Sequence, residues 1–224
     1  MAEKSKITIG IDEAGRGPVL GPLVMAALAV DESNLKKLEW MGVKDSKLLS
    51  HQTREELFER IREVVKDFRI QVIEPDAIDL SLSEEGTNLN WLEADTSINM
   101  ISELKADKII LDCPSVNVQA YKDYIFKKLP ERLKGAELIV EHKADMNYIV
   151  VAAASIIAKV IRDRAIDKIK NELKLDFGSG YMSDPKTKKF LDEYHDKLPH
   201  LFRKKWQSYK NVVIKKEQRG LDEF

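Results

Sequence analysis

Cysteine, glycine and proline are all scarce in this chain of 224 residues. The single cysteine, Cys113, excludes an intramolecular disulfide framework and a metal site built on paired cysteines. The 10 glycines and 7 prolines are too few for a low-complexity or collagen-like sequence. No apolar run approaches the roughly 18 residues of a membrane span, and the N-terminus lacks the apolar segment of a secretion signal. We therefore expect a cytoplasmic globular protein whose hydrophobic residues, 43% of the chain, fill a sizeable core.

Charge is balanced overall but segregated along the chain. The formal net charge is -1, yet residues 74–103 contain eight acidic side chains and neither lysine nor arginine. Residues 197–219 show the opposite bias, with Glu217 as the only acidic residue among eight basic ones: Lys197, Arg203, Lys204, Lys205, Lys210, Lys215, Lys216 and Arg219. The aromatic residues Phe202, Trp206 and Tyr209 are interleaved with them. This pattern predicts a surface that binds a polyanion, although a solvated charged face is the alternative.

Apolar periodicity predicts a mixed α/β sheet flanked by helices. Strands are expected at 7–11 and 23–30, joined by a glycine-rich turn as a hairpin, and then at 69–73, 108–111 and 137–140. Helices are expected at 54–65 after a Ser50 cap, then at 87–104, 118–129, 149–169, 186–198 and around 202–212. Two strands followed by alternating strands and helices favour a sheet that starts antiparallel and continues parallel.

Carboxylates follow three of the predicted strands: Asp12 with Glu13, then Asp112, then Asp145. The carboxyl ends of neighbouring strands converge on one crevice in open α/β sheets, so we expect these four side chains to lie together. Such a cluster either shifts its pKa values strongly or binds a divalent cation, and oxygen ligands favour Mg²⁺ or Mn²⁺ over Zn²⁺. Two such ions would support phosphodiester cleavage. The alternative is that each Asp is an ordinary turn or cap residue.

Two glycine-rich loops are further candidates for ligand binding. In the loop of Gly15, Arg16 and Gly17, the glycines permit close approach of a ligand and Arg16 supplies positive charge. In the segment 178–181 (GSGY), Tyr181 offers a ring for stacking on a sugar or base. The alternatives are an ordinary hairpin turn for the first loop and core packing for Tyr181.

Several motifs, taken together, resemble type 2 ribonuclease H (ribonuclease HII), and its archaeal members most closely. They are the runs 10–18 (GIDEAGRGP), 44–48 (KDSKL), 141–145 (EHKAD), 153–159 (AASIIAK) and 178–181 (GSGY) with 183–185 (SDP). Their order and spacing match the family from about Ile7 to Trp206. The combination is highly specific, although each piece alone is weak.

The resemblance implies a ribonuclease-H-like catalytic domain at 1–175, a helical substrate-binding part at 176–212 and a tail at 213–224. It implies cleavage of the RNA strand of RNA/DNA hybrids with Mg²⁺ or Mn²⁺, two ions being expected with substrate. It also implies incision 5′ to a single ribonucleotide in duplex DNA, leaving 3′-hydroxyl and 5′-phosphate ends. A monomer is expected.

The family's functional residues fall on matching positions of this chain. Its four metal-binding acids correspond to Asp12, Glu13, Asp112 and Asp145, the carboxylates that the strand pattern had already indicated. Its ribonucleotide-sensing loop corresponds to Gly15, Arg16 and Gly17, and its junction-reading tyrosine to Tyr181. Lys47 and Lys143 lie in matching motifs and are expected to contact phosphates.

The C-terminal residues resemble the peptide that binds sliding clamps, Q-x-x-L-x-x-F-F. Gln218, Leu221 and Phe224 match it, with one terminal aromatic residue where strong versions have two. An aliphatic and an aromatic anchor would enter an apolar pocket of the clamp. The alternative is a frayed charged tail.

Two other classes of protein compete with the nuclease interpretation. A phosphotransferase with an actin-like core also opens with a strand, an Asp and a glycine-rich hairpin, but it needs a second phosphate loop that this sequence does not provide. A non-catalytic nucleic-acid-binding module would use the basic segment but has no use for four converging carboxylates.

Overall fold

One five-stranded sheet lies at the centre of the described residues. The computed structural model describes residues 5–43, 46 and 49–222, the last four by their backbone alone. The strands are β1 (Ile7–Ala14), β2 (Leu23–Asp31), β3 (Asp67–Ile73), β4 (Lys108–Asp112) and β5 (Glu137–Glu141), and their order across the sheet is β3-β2-β1-β4-β5. β1 is antiparallel to β2 and parallel to β4, which is parallel to β5. The predicted mixed sheet is confirmed.

Nine α-helices lie in the described part of the chain. They are α1 (Leu35–Trp40), α2 (His51–Val64), α3 (Pro75–Ser81), α4 (Leu89–Ser102), α5 (Val118–Lys128), α6 (Ala144–Asn147), α7 (Ile149–Leu173), α8 (Pro185–Tyr194) and α9 (Gln207–Asp222). The predicted cap of α2 is present, since the Ser50 hydroxyl accepts a hydrogen bond from the N–H of Thr53. The sequence pattern did not predict α1, α3 and α6, because helices of one or two turns are too short to show a period. None of these helices combines the length and apolar character that a membrane span requires.

Three differences from the predicted positions affect candidate site residues or the predicted tail. β1 continues through Asp12 and Glu13, because its pairing with β2 extends to Ala14 and Val24. Asp145 lies in α6, beyond the end of β5 rather than at its tip. α9 continues to Asp222, so most of the predicted tail at 213–224 has helical backbone.

The first compact unit comprises Met1–Ala14, Val24–Gln71 and Asn90–Ile161. Its core joins the sheet to α2 and to the alanine-rich part of α7, which contributes Ala153, Ala154 and Ile157. α7 lies directly against β1 at Gly10. A Cβ atom at Gly10 would lie 2.5 Å from the carbonyl carbon of Val150, so only glycine permits this approach.

The second compact unit comprises Gly15–Leu23, Val72–Leu89 and Arg162–Phe224. Phe177, Phe190 and Phe202 are buried in its core, with ring centroids of Phe190 and Phe202 5.7 Å apart. These units are groups of residues that pack together. They do not test the functional partition at residues 175 and 212, which stays a prediction.

We expect Gly10→Ala to lower the free energy of unfolding by about 1–3 kcal/mol, because the added methyl group meets backbone atoms that cannot rotate away. Gly135→Ala is the matched control, since a Cβ atom at Gly135 meets nothing within 4 Å. Urea denaturation followed by circular dichroism measures both. Equal stability of the two variants would show that α7 can move away from β1 at little cost.

Candidate active site

Three carboxylates meet at the carboxyl ends of β1 and β4. Ile11 pairs with Leu111 across these parallel strands, and the next residue on each strand is an aspartate, Asp12 and Asp112. Oxygen atoms of Asp12, Glu13 and Asp112 all lie within 4.8 Å of one another. The parallel pairing of β1 and β4 therefore brings together three of the four predicted acids.

The fourth acid, Asp145, reaches the same region from α6. It is 8% exposed, and its charge acts on Asp12 although it lies outside the three-residue group. The first N–H of α6, that of Ala144, donates to Oδ1 of Asp112 at 2.7 Å. This hydrogen bond connects α6 to the end of β4 and orients the Asp112 carboxylate.

The Asp12 carboxyl has a pKa raised to about 7, chiefly because the side chain is buried and also because Asp112 and Asp145 are negatively charged. Hydrogen bonds from Ser155 and from the N–H of Glu13, the latter 2.7 Å from Oδ1, favour the carboxylate and oppose this rise. Ionised Asp12 is therefore costly in the protein alone, and a bound cation would remove that cost. The donor set consists of carboxylate oxygens and fits a hard divalent cation.

Ser155 is a residue of this site to which the sequence analysis gave no role. It lies on α7, and besides Asp12 its hydroxyl contacts that of Ser46, with 3.0 Å between the oxygens. Both serines are buried. The sequence did contain one signal for this residue: Ser155 is the only hydroxyl in the apolar run 150–158. Because a buried polar group needs a hydrogen-bond partner, this position indicates a contact with another polar residue.

The Gly15, Arg16 and Gly17 loop belongs to the second unit, together with Tyr181. Gly15 has a φ of +82°, and the Arg162 side chain occupies the place of a Cβ atom, so this position requires glycine. A Cβ atom at Gly17 would lie 3.6 Å from Cε1 of Tyr181. The structure thus brings the predicted loop and the predicted tyrosine together.

The ring of Tyr181 packs against a buried arginine, Arg162. The Arg162 guanidinium carbon lies 5.4 Å from the centroid of the Tyr181 ring, in a cation–π arrangement. Burial lowers the pKa of Arg162, and one of its Nη atoms donates to the carbonyl of Ser179 at 3.3 Å. Arg162 therefore holds both the ring of Tyr181 and the segment before it.

The structure describes three of the five remaining predicted residues. Lys143 is exposed just before α6 and has a left-handed backbone, with φ 59° and ψ 37°. Gln218 is exposed on α9, and Leu221 lies in the same helix. Lys47 and Phe224 lie outside the described residues.

One part of the basic segment does not lie at the surface. Arg203 and Phe202 are both fully buried, at 0% exposure. The prediction of a polyanion-binding surface that includes these two side chains is therefore wrong. Charge counting missed this because it cannot distinguish an arginine that binds backbone carbonyls from one that faces solvent.

Comparison with known proteins identifies the family. The sequence profile described as ribonuclease HII matches residues 9–209. The chain belongs to the ribonuclease HII family. A curated ribonuclease HII of Thermococcus sibiricus is 47% identical over 211 residues, which are 92% of this chain and 91% of that protein.

Solved structures of the ribonuclease HII family match the fold described above. The crystal structure of ribonuclease H2 from Pyrococcus horikoshii has a TM-score of 0.84 and 38% identity, covering 93% of this chain and 98% of that one. The structure of the PCNA:RNase HII complex from Archaeoglobus fulgidus has a TM-score of 0.81 and 37% identity, covering 92% and 96%. The predicted ribonuclease-H-like sheet with a helical C-terminal part is confirmed.

Membership of the ribonuclease HII family decides between the competing functions. The chain is a hydrolytic nuclease of the ribonuclease H type 2 class, which depends on divalent metal. The phosphotransferase and the non-catalytic binding module are thereby excluded.

We expect Asp12→Asn to raise the free energy of unfolding of the metal-free protein by about 1–3 kcal/mol at pH 8, because a neutral amide is cheaper to bury than a carboxylate. The folded protein binds the Asp12 proton more tightly than the unfolded chain, since its pKa is raised from 3.8 to about 7. The advantage of the variant therefore grows as the pH rises from 4 to 7 and is constant above that range.

Urea denaturation in EDTA at pH 5 and pH 8 measures this difference. Asp123→Asn, at an exposed position of α5, is the control and is expected to stay within about 0.5 kcal/mol of the unmodified protein. A stability difference for Asp12→Asn that does not change with pH would contradict the raised pKa of the Asp12 carboxyl.

Proposed function

We propose that this ribonuclease H cleaves the RNA strand of RNA/DNA hybrids and also incises 5′ to a single ribonucleotide embedded in duplex DNA. The products carry 3′-hydroxyl and 5′-phosphate ends. The observation that carries the proposal is the carboxylate group of Asp12, Glu13 and Asp112, within 4.8 Å, in a chain that matches the ribonuclease HII family over residues 9–209.

Asp12, Glu13, Asp112 and Asp145 would hold two Mg²⁺ or Mn²⁺ ions. Bound there, divalent cations would lower the pKa of the attacking water and would stabilise charge on the leaving oxygen. The chain's own contribution is to hold the ligands in place: Ser155 bonds to Asp12, and the N–H of Ala144 bonds to Asp112. Ligands fixed in this way need no reorganisation when a cation binds.

Recognition of the ribonucleotide is assigned to Gly15, Arg16, Gly17 and Tyr181. Backbone groups of the loop and the Arg16 side chain contact the 2′-hydroxyl and the adjacent phosphate, which is how a protein distinguishes RNA from DNA. Tyr181 stacks on the deoxyribose that follows. The proximity of Gly17 to the Tyr181 ring supports a joint role, since adjacent sugars of one strand require adjacent contacts.

Lys47 and Lys143 complete the proposal as phosphate contacts. Lys143 is exposed two residues from Asp145, and its left-handed backbone is a strained conformation of the kind that concentrates at functional sites. Its ammonium group would neutralise a phosphate close to the carboxylate cluster.

The test uses three duplexes of one sequence: all DNA, DNA with one ribonucleotide, and an RNA/DNA hybrid. With Mg²⁺ or Mn²⁺ we expect cleavage of the hybrid and incision 5′ to the single ribonucleotide, and no cleavage of DNA or in EDTA. Asp112→Asn should lose about 100-fold or more in rate, as removal of a ligand costs at least as much as removal of a supporting contact. Asp123→Asn should retain its rate.

Mapping of the product ends on a sequencing gel decides the position of incision. Cleavage of the hybrid alone would overturn the single-ribonucleotide activity and leave the hybrid activity in place. Incision 3′ to the ribonucleotide, or a normal rate for Asp112→Asn, would contradict the proposed chemistry.

We also propose that the C-terminus binds a sliding clamp through Gln218, Leu221 and Phe224. An archaeal ribonuclease HII with 37% identity has been solved as a PCNA:RNase HII complex. In this chain the backbone of Gln218 and Leu221 lies in the last turns of α9. Gln218 is exposed.

Deletion of residues 218–224 is expected to abolish heat release in a calorimetric titration with the cognate clamp, because both anchors are removed. Incision of a duplex too short to hold a clamp should keep its rate. Lys210→Ala, at an exposed position earlier in α9, is the control for loss of positive charge. Unchanged clamp affinity after the deletion would refute the assignment.

A further inference from the structure

Arg203 is a fully buried arginine whose guanidinium group binds backbone carbonyls of the Gly15, Arg16 and Gly17 loop. Nη2 donates to the carbonyl of Gly15 at 2.6 Å, and Nη1 donates to that of Arg16 at 2.9 Å. Nε and Nη2 also donate to the carbonyl of Gly21, at 3.0 Å and 2.9 Å. The guanidinium therefore spans both ends of the segment from Gly15 to Gly21.

Trp206 binds the next carbonyl of the same loop. Its Nε1 donates to the carbonyl of Gly17 at 3.2 Å, and its ring centroid lies 5.0 Å from the guanidinium carbon of Arg203. Arg203 and Trp206 together bind the carbonyls of three successive residues, so these three peptide planes have fixed orientations.

The geometry of the peptide unit determines which backbone N–H groups of the loop point away from Arg203. In a planar trans peptide the N–H points away from the C=O of the same unit. Because the carbonyls of Gly15 and Arg16 face Arg203, the N–H groups of Arg16 and Gly17 point away from it. The third plane adds no donor, since Pro18 has no N–H. Successive N–H groups on one side of a chain form a site for anionic oxygen.

The backbone around Arg203 is held in turn by a buried carboxylate. Asp79 of α3 is 8% exposed, and its Oδ2 and Oδ1 accept the N–H groups of Lys204 at 2.7 Å and Lys205 at 3.0 Å. Asp76, one turn earlier on α3, is exposed, and its Oδ1 lies 2.8 Å from the side-chain Nζ of Lys204. Asp79 thus fixes the segment that carries both Arg203 and Trp206.

We propose that Arg203 and Trp206 are positioning residues for ribonucleotide recognition. They turn the carbonyls of residues 15–17 inward, so that the N–H groups of Arg16 and Gly17 face the 2′-hydroxyl and the adjacent phosphate. The inference rests on the proposed function of this loop. Arg203 is buried, so its guanidinium does not contact the substrate and acts by orienting the backbone of the loop. This role differs from that of a surface arginine that binds a phosphate directly.

The test compares binding of two duplexes that differ by a single 2′-hydroxyl. Dissociation constants are measured by fluorescence anisotropy with Ca²⁺ in place of Mg²⁺, and the strand is checked to be intact afterwards. The quantity of interest is the discrimination ratio, the dissociation constant for all-DNA duplex divided by that for the duplex with one ribonucleotide.

Arg203→Lys keeps the charge but cannot reach all three carbonyls, and we expect it to lower the discrimination ratio about ten-fold. Trp206→Phe keeps the ring and loses the donor, and a loss of about three-fold is expected. Affinity for all-DNA duplex should change less than two-fold in both, as the phosphate contacts remain. Trp40→Phe, at a position that is 81% exposed, is the control.

A second pair of variants tests the contact between Asp79 and the backbone of Lys204 and Lys205, and it leaves the side chains of Arg203 and Trp206 unchanged. Asp79→Asn replaces one acceptor by a donor that faces a backbone N–H, whereas Asp76→Asn removes the same charge from the same helix at the surface. Only Asp79→Asn should lower the discrimination ratio. This pair keeps the inference testable if Arg203→Lys does not fold, which thermal unfolding followed by circular dichroism would show.

The outcomes separate the inference from the function on which it rests. A discrimination ratio near one in the unmodified protein would refute the proposed function of the loop. A large ratio that all three variants retain would overturn the positioning role and leave that function intact. An equal loss of affinity for both duplexes would also overturn the positioning role, since Arg203 and Trp206 would then contribute to duplex binding without regard to the 2′-hydroxyl.

Discussion

The backbone of α7 lies directly against β1 at Gly10, and the geometry of the carboxylate cluster depends on that contact. A Cβ atom at this position would overlap main-chain atoms of Val150 and Val151, which cannot rotate aside. Close approach lets Ser155, further along α7, reach the Asp12 carboxylate at the end of β1. One missing side chain thus permits both the packing of the first unit and the orientation of a proposed metal ligand.

The carboxylate cluster carries an electrostatic cost in the protein alone. Burial and two neighbouring acids raise the pKa of Asp12 to about 7, so its charged form is unfavourable in the protein alone. The same grouping provides the oxygen donors that a hard divalent cation requires. Hydrogen bonds from Ser155, Glu13 and Ala144 keep these oxygens oriented, which explains why the arrangement persists despite the repulsion.

The second unit uses arginine in its interior as well as on its surface. Arg162 is 2% exposed and lies under the ring of Tyr181, while Arg203 binds carbonyls of the loop that begins at Gly15. Five N–H donors in a rigid plane allow one side chain to fix several peptide groups at once, which lysine cannot do. The orientation of the Gly15–Gly17 loop is therefore a property of residues nearly 190 positions away in the chain.

Local sequence patterns determined most of the secondary structure and the family of this protein. The strands, the long helices, the cap at Ser50 and the association of Asp12 with Asp112 all follow from local periodicity and from the rule that parallel strands end at one edge. The family follows from the motifs at 10–18 and 141–145. Tertiary structure alone decided the placement of Asp145 in α6, the burial of Arg203 and Phe202, and the link from Ser155 to Asp12. These depend on which distant groups a side chain meets, and a lone Arg, Ser or Asp carries no local signal of its partner. A buried arginine and an exposed one have the same letter in the sequence, and only the carbonyls placed around Arg203 by the fold distinguish them.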